Sequence, residues 1–298
     1  MANSEPDESP FVITDELVIA LIQDQFPDLA HHEIGRHYKL DDHTSVRVGD
    51  EYGAIFPTVA HWDQNYARNA AFIKPLLPLW TFPWSAPLRT GDPGHGYPYH
   101  WVISKWISAS TAGFVPLRPE AAAPLGDALR QIHHAAPADA PASATADVTI
   151  AQLTPEWESL LAAVAQIDAP EHRLLNADVA TALWEQAAKA DVAPRRTWTH
   201  GNLEPRAVMS NQGEFAGVVL WHTFGVGNPA VDLGAACILI PTDARATMLK
   251  AYGKVNARAL AAIQGYELLA ALRYIKGGDP FLSRLAWERL IELGVVDE

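Results

Sequence analysis

Apolar positions recur at helical spacing in TDELVIALIQDQFP, where Val18, Leu21, Ile22 and Phe26 form one stripe behind a Thr or Asp suited to an N-cap. The spacing then changes to alternation. Ser45-Val46-Arg47-Val48 and Ala54-Ile55-Phe56 flank Gly49-Asp50-Glu51-Tyr52-Gly53, which predicts a hairpin. The segment HWDQNYARNAAFIKPLL predicts a helix ended by Pro75 and Pro78. The Pro-, Gly- and Trp-rich run WTFPWSAPLRTGDPGHGYP reads as connections, and His100-Trp101-Val102-Ile103-Ser104 as a strand. From about Ser108 the pattern is helical: PLGDALRQIHHAA is amphipathic, and EWESLLAAVAQI and ADVATALWEQAAKA follow it. Between them APADAPASATAD reads as a low-complexity loop. Residues 197–220 return to short strands and loops, and the chain from about Asp243 is helical nearly throughout. The pattern implies an α+β protein of two lobes. A disordered lead-in, 1–10, precedes a small N-terminal lobe with a β-sheet, 11–107. A short hinge joins it to a larger, mainly helical lobe, 108–298, with a β insert.

Composition narrows the function classes. The chain has 298 residues, 49% hydrophobic and 19% charged, as in a globular protein with ample core. Its formal net charge of -13 argues against nucleic acid as a partner, which asks for a basic footprint, and against anionic membrane surfaces. No apolar run reaches the roughly 20 residues of a membrane span. The polar, acidic start MANSEPDESP resembles no targeting peptide, so a cytoplasmic location is expected. The one cysteine, Cys237, sits in the apolar run AACILI and reads as a small buried hydrophobe.

Several common site patterns are missing. The adjacent histidines His31-His32 and His133-His134 point about 100° apart on a helix and seldom share a metal. No His/Cys spacing suits zinc, Gly225-x-Gly227 lacks the third glycine of a dinucleotide fingerprint, and no G-x-S-x-G nucleophile elbow occurs. The aromatic-rich stretch from Trp80 to Trp106 reads as lobe core before it reads as a pocket lining.

Two stretches carry a resemblance. Thr199-His200-Gly201-Asn202-Leu203-Glu204-Pro205 is followed by VVLWHTFGVGNPAVDLG. Together with the order of elements, these resemble the aminoglycoside and macrolide phosphotransferases, which share the bilobal protein-kinase-like fold. That family's signature runs His-Gly-Asp-Leu-His-Pro-Gly-Asn, then Ile-Asp-Trp-Gly, then Gly-Asp-Pro-Ala-x-Asp-Leu. The resemblance covers most of the chain, with ELVIALIQDQFPDL as the first helix, VRVGDEYGAIFP as the nucleotide-lobe hairpin and YPYHWVISKWI as the strand before the hinge.

Phosphoryl transfer is mostly positioning and charge neutralisation, with Mg²⁺ on hard oxygen ligands and a carboxylate to orient the acceptor. The resemblance places Asn202 at the catalytic aspartate and Glu204 at a frequent histidine. It places Ala207 and Leu220 at the two metal ligands. It sets Ile55 at the phosphate-binding Lys or Arg, and Asn69 at the glutamate that holds it. GRHYKLDDHTS falls at the phosphate-covering loop, with one glycine, Gly35, and two carboxylates, Asp41 and Asp42. Lys39 and Arg47 are rival cations. What stays is architectural: His200, Gly201, Trp221, the turn residues Gly225, Gly227 and Pro229, and Asp232, which in the family supports the catalytic loop. Leu220 extends Val218-Val219 and reads as a buried strand end, and Glu204 reads as a solvated loop carboxylate.

The expectation is a pseudokinase of this family that neither binds ATP and Mg²⁺ nor transfers phosphate. It would bind a small molecule, with a cationic one suited to the acidic chain, or a protein partner. An active transferase using Glu204, Asp232, Asp41 or Asp42 as unorthodox groups is the alternative, with ATP and Mg²⁺ as cofactors. A purely structural scaffold is the third.

Overall fold

The computed structural model describes residues 10–40, 42–167, 174–191, 196–253 and 255–296. The expected lead-in, apart from Pro10, and Asp41 lie outside them. The described residues form two compact units. One holds the residues up to Leu79, Pro83–Ser108 and Val219–His222; the other holds Trp80–Phe82, Ala109–Val218 and the residues from Thr223 onward.

The first unit is built on α1 (Asp15–Gln25) and a five-stranded antiparallel sheet. Its strands are β1 (Ile34–Lys39), β2 (His43–Val48), β3 (Tyr52–Pro57), β4 (Pro87–Gly91) and β5 (Trp101–Lys105), in the order β1-β2-β3-β5-β4. Thr14 caps α1 by accepting from the Leu17 amide, and Val18, Leu21 and Ile22 turn inward as their spacing predicts. Because side chains alternate along a strand, the sheet has two distinct faces. Val46, Val48, Ala54, Phe56, Trp101 and Ile103 form one core with the α1 stripe. The opposite face carries Ile55 and Val102, packed with Tyr66 of α2 (Asp63–Ile73).

Two expectations need correction here. The segment GRHYKLDDHTS, set by the resemblance at the phosphate-covering loop, is mostly strand: β1 and β2 occupy most of it and pair antiparallel. The Pro- and Trp-rich connection contains β4, which pairs with β5 at the sheet edge. An edge strand tolerates Pro87, since a missing N–H need not break an inner ladder.

The second unit is mainly helical. It contains α3 (Ala122–Ile132), α4 (Ile150–Val164), α5 (Ala177–Ala190), α6 (Pro229–Leu239), α7 (Arg245–Tyr252), α8 (Ala257–Gly277) and α9 (Pro280–Glu292). The long α8 packs on α4, α5, α6 and α9 and forms the centre of this unit. Its short strands are β6 (Ser110–Thr111), β7 (Thr197–Thr199), β8 (Val208–Asn211), β9 (Glu214–Val218) and β10 (Gly225–Gly227). They form a sheet β6-β8-β9 and a ribbon β10-β7. Cys237 is buried in α6. Among the described residues, no helix is long and apolar enough to cross a membrane.

Candidate functional site

The His-Gly-Asn loop follows β7 in the second unit, and its backbone is held from several sides. Asp232 lies in the first turn of α6, behind the Asn228 cap and Pro229. Its carboxylate accepts from the amides of His200 at 2.7 Å and Gly201 at 2.9 Å. The Nε2 of His133 donates to it at 3.0 Å, and His133 Nδ1 lies 3.0 Å from the Tyr252 hydroxyl. Burial works against the charge on Asp232. The His133 bond, the nearby imidazoles and the backbone amide outweigh it and hold the carboxyl below its ordinary range.

The loop carbonyls have hydroxyl donors. Thr223 Oγ1 donates to the His200 carbonyl at 2.9 Å, and Thr145 Oγ1 to that of Gly201 at 2.7 Å. Ser143 Oγ donates to the Thr223 carbonyl at 2.7 Å. Gly201 has φ +91°, and a Cβ there would stand 2.6 Å from Ser143 Oγ, so only glycine fits. Ser143 and Thr145 come from the Ala/Pro stretch read as a featureless loop. That stretch runs beside β10: the Ser143 amide donates to the Val226 carbonyl and the Val226 amide to that of Pro141, both at 2.8 Å. Hydroxyls interrupting an Ala/Pro run were the available signal, since Ser and Thr side chains readily bond backbone.

Asn202, which the resemblance sets at the catalytic aspartate, donates through Nδ2 to Glu204 Oε1 at 3.0 Å. Arg206 pairs with the same carboxylate at 3.1 Å. Glu204 is therefore partly buried and compensated on two sides, not the freely solvated group expected. Ala207 is fully buried, and its amide closes a turn onto the Glu204 carbonyl.

The other positions lie in the first unit. Ile55 is 6% exposed and packs with Tyr66 and Val102, with Trp62 against them. In register it lies in a row with Tyr38, Ser45 and Val102 across four strands. Farther along this face Trp106 lies over Gly53, where a Cβ would come within 3.0 Å of its ring, and Trp106 also packs on Tyr38 at 5.4 Å. Asn69 has no exposed surface, and its Nδ2 donates to the carbonyls of Trp221 at 3.1 Å and His222 at 2.8 Å.

Leu220 is buried, but it is not a strand end. β9 stops at Val218, and Leu220 takes φ +64°, a left-handed conformation that Gly, Asn and Asp adopt more readily than leucine. The backbone here thus has a shape suited to the aspartate of the resemblance, with a hydrocarbon side chain on it. Trp221 is a buried packing residue.

Two of the rival groups, Arg47 and Asp42, are engaged. Arg47 donates to the Gly49 carbonyl at 2.9 Å and pairs with Asp50, both on the hairpin turn. Lys39 is exposed at the end of β1. Asp42 lies 2.6 Å from His43 Nδ1. Burial would raise its carboxyl, but His43 and His222 bring it down to about 2. The paired histidines are also occupied elsewhere: the His31 and His32 rings pack on each other, tilted, at 4.1 Å, and His133 serves Asp232.

A small antiparallel sheet unit followed by a helical unit with this loop is the bilobal α+β architecture of the kinase-like phosphotransferases. The chain belongs to the phosphotransferase enzyme family, whose model matches residues 60–272. Solved structures agree on the fold. The GDP complex of aminoglycoside 2'-phosphotransferase-IIIa is 13% identical, with a TM-score of 0.63 over 94% of this chain and 99% of that one. Macrolide 2'-phosphotransferase type I is 17% identical, with a TM-score of 0.55 over 93% and 97%. The ADP-bound aminoglycoside phosphotransferase APH(2'')-Ib is 15% identical, with a TM-score of 0.56 over 93% and 98%. At these identities the likeness concerns the fold alone. No curated protein matches the chain by sequence.

Proposed function

We propose that this protein is a pseudokinase of the phosphotransferase family, which acts by binding and not by moving phosphate. The observation that supports this reading is the burial of hydrocarbon side chains at the two positions where the resemblance sets the metal ligands. Ala207 is fully buried and Leu220 is 7% exposed. A methyl and an isobutyl group give Mg²⁺ no oxygen, so neither position can contribute a ligand to a metal that would neutralise a triphosphate. The residues present therefore do not fit Mg²⁺ with ATP.

The first unit supports the same reading. Ile55 supplies no cation, and its side chain is packed under Tyr66 with Trp62 against it. The carboxylates that an unorthodox mechanism would recruit are already engaged: Glu204 by Asn202 and Arg206, Asp42 by His43, and Asp232 by the loop amides. Asp41 lies outside the described residues.

The ligand is a small molecule or a protein partner. A net charge of -13 draws cationic molecules toward the chain. Next to the His-Gly-Asn loop, however, Glu204 already has Arg206 as its counter-ion, which weakens the pull at that point. Incubation with γ-labelled ATP, Mg²⁺ and a panel of aminoglycosides and macrolides tests the reading. No transfer and no ATP hydrolysis above the buffer rate are expected. Mg²⁺-dependent label on any acceptor contradicts it.

A further inference from the structure

Asn69 stands where the resemblance expects a glutamate, but the structure gives it a task that a carboxylate cannot perform. A primary amide carries two N–H donors, whereas a carboxylate only accepts. Asn69 uses its Nδ2 on the carbonyls of Trp221 and His222, at 3.1 and 2.8 Å. Its Oδ1 accepts from Arg68 Nε at 3.3 Å, which fixes the amide with its nitrogen toward the carbonyls. The group is fully buried, so no water stands ready to replace these bonds. A glutamate here would set negative oxygens against two carbonyl oxygens.

The rest of the turn is held from the same unit. The His222 ring packs at 4.7 Å from Trp62, 5.7 Å from His43 and 5.8 Å from Tyr66. Trp62 precedes α2 and Tyr66 lies one turn before Asn69, so one helical segment grips both backbone and ring. Directly before the gripped carbonyls comes Leu220, in its left-handed conformation.

We propose that Asn69 is a positioning residue that locks the Val219–His222 turn, with Leu220 buried, through a donor pair that no carboxylate can supply. The pseudo-metal position is then closed by a backbone lock as well as by its side chain. Position 69 is a fitted anchor, not an eroded glutamate. In its meaning for phosphotransfer this rests on the pseudokinase reading, but the lock itself is tested without nucleotide.

The test compares Asn69→Asp with Asn69→Ala by thermal melting from pH 4 to pH 8, and follows hydrogen exchange of residues 219–223. Protonated, an aspartic acid keeps one donor; ionised, it faces the carbonyls with negative charge. Its folded-state pKa is therefore raised above the ordinary value of about 3.9. Its contribution is present at low pH and is lost as pH rises through that raised value. Asn69→Asp should melt above Asn69→Ala at pH 4 and below it at pH 8, by about 2 °C or more each way. In both variants at pH 8, exchange at 219–223 should rise roughly tenfold or more, while α5 stays unchanged. Parallel pH curves for the two variants, or unchanged exchange at 219–223, overturn the lock. Should Asn69→Asp not fold at pH 8, exchange in Asn69→Ala decides alone. A wild type that binds MgATP while this pattern still holds would overturn the pseudokinase reading and leave the lock standing.

Discussion

His133 Nε2 donates to Asp232 across 3.0 Å in a fully buried pair that also receives the His200 and Gly201 amides. This pair holds the frame of the loop that carries Asn202. Asp232→Ala leaves two amides and an imidazole without their acceptor. A loss of about 3–5 kcal/mol is expected by denaturant titration. A loss below about 1 kcal/mol would remove Asp232 from the loop's support.

The same carboxylate gives a pH dependence. Its folded-state pKa lies below the ordinary 3.8. A depressed acid contributes stability that is present above the unfolded value and lost as pH falls through the folded one. Stability should therefore decline below about pH 4, and the Asp232→Asn variant should decline less steeply there. Equal slopes for the two proteins would assign the acid transition to other carboxylates.

Leu220 makes a sign prediction. At most positions glycine is less stable than alanine by about 0.5–1 kcal/mol. At φ +64° the order should invert, because alanine pays the left-handed Cβ clash and glycine does not. Leu220→Gly should be more stable than Leu220→Ala by about 1 kcal/mol in matched urea melts. Alanine as the more stable variant would mean that the left-handed turn does not persist in solution.

Ser143 and Thr145 brace the loop through two hydroxyls. Replacing them with Ala and Val removes those donors from buried carbonyls. The double variant should lose about 1–3 kcal/mol and show faster hydrogen exchange at residues 199–204. Unchanged exchange there would reduce the Ala/Pro stretch to a passive connection.

Away from the loop, Glu267 on α8 holds Arg245 at 2.6 Å and Arg289 at 2.9 Å, with no exposed surface of its own. The triad joins α7, α8 and α9. Glu267→Ala removes the carboxylate the two guanidinium groups share, though Arg289 keeps Glu292 and the Cys237 and Ile240 carbonyls, and should cost about 3 kcal/mol. Thermal melting would show whether the second unit depends on it.

Much of the architecture was legible where burial is one-sided. The α1 stripe and the hairpin around residues 49–53 follow from period alone, because each has one wet face and one dry face. Helix α6 lacked that contrast: it buries Ala230, Leu233, Ala236, Cys237, Ile238 and Leu239 around most of its circumference, so no period appears. Its Asn228-Pro229 start was the missed signal, an N-cap followed by Pro at the first turn. Strand β1 went unread because its exposed, polar residues at a sheet edge look like loop. For the site, the residue types at Asn202, Ala207 and Leu220 were open to comparison with the motif, but the left-handed backbone at Leu220 was not. The work of Asn69 could not be read there either, because its partners are backbone carbonyls more than 150 positions along the chain, and their direction is set only by the fold.

Isothermal calorimetry of the full chain with MgATP tests the proposed pseudokinase reading most directly. With buried hydrocarbon at Ala207 and Leu220, and Ile55 where the resemblance sets a cation, no binding heat is expected at millimolar nucleotide, with or without Mg²⁺. A saturable Mg²⁺-dependent isotherm with a Kd below about 1 mM, equivalent to about 4 kcal/mol, would contradict it.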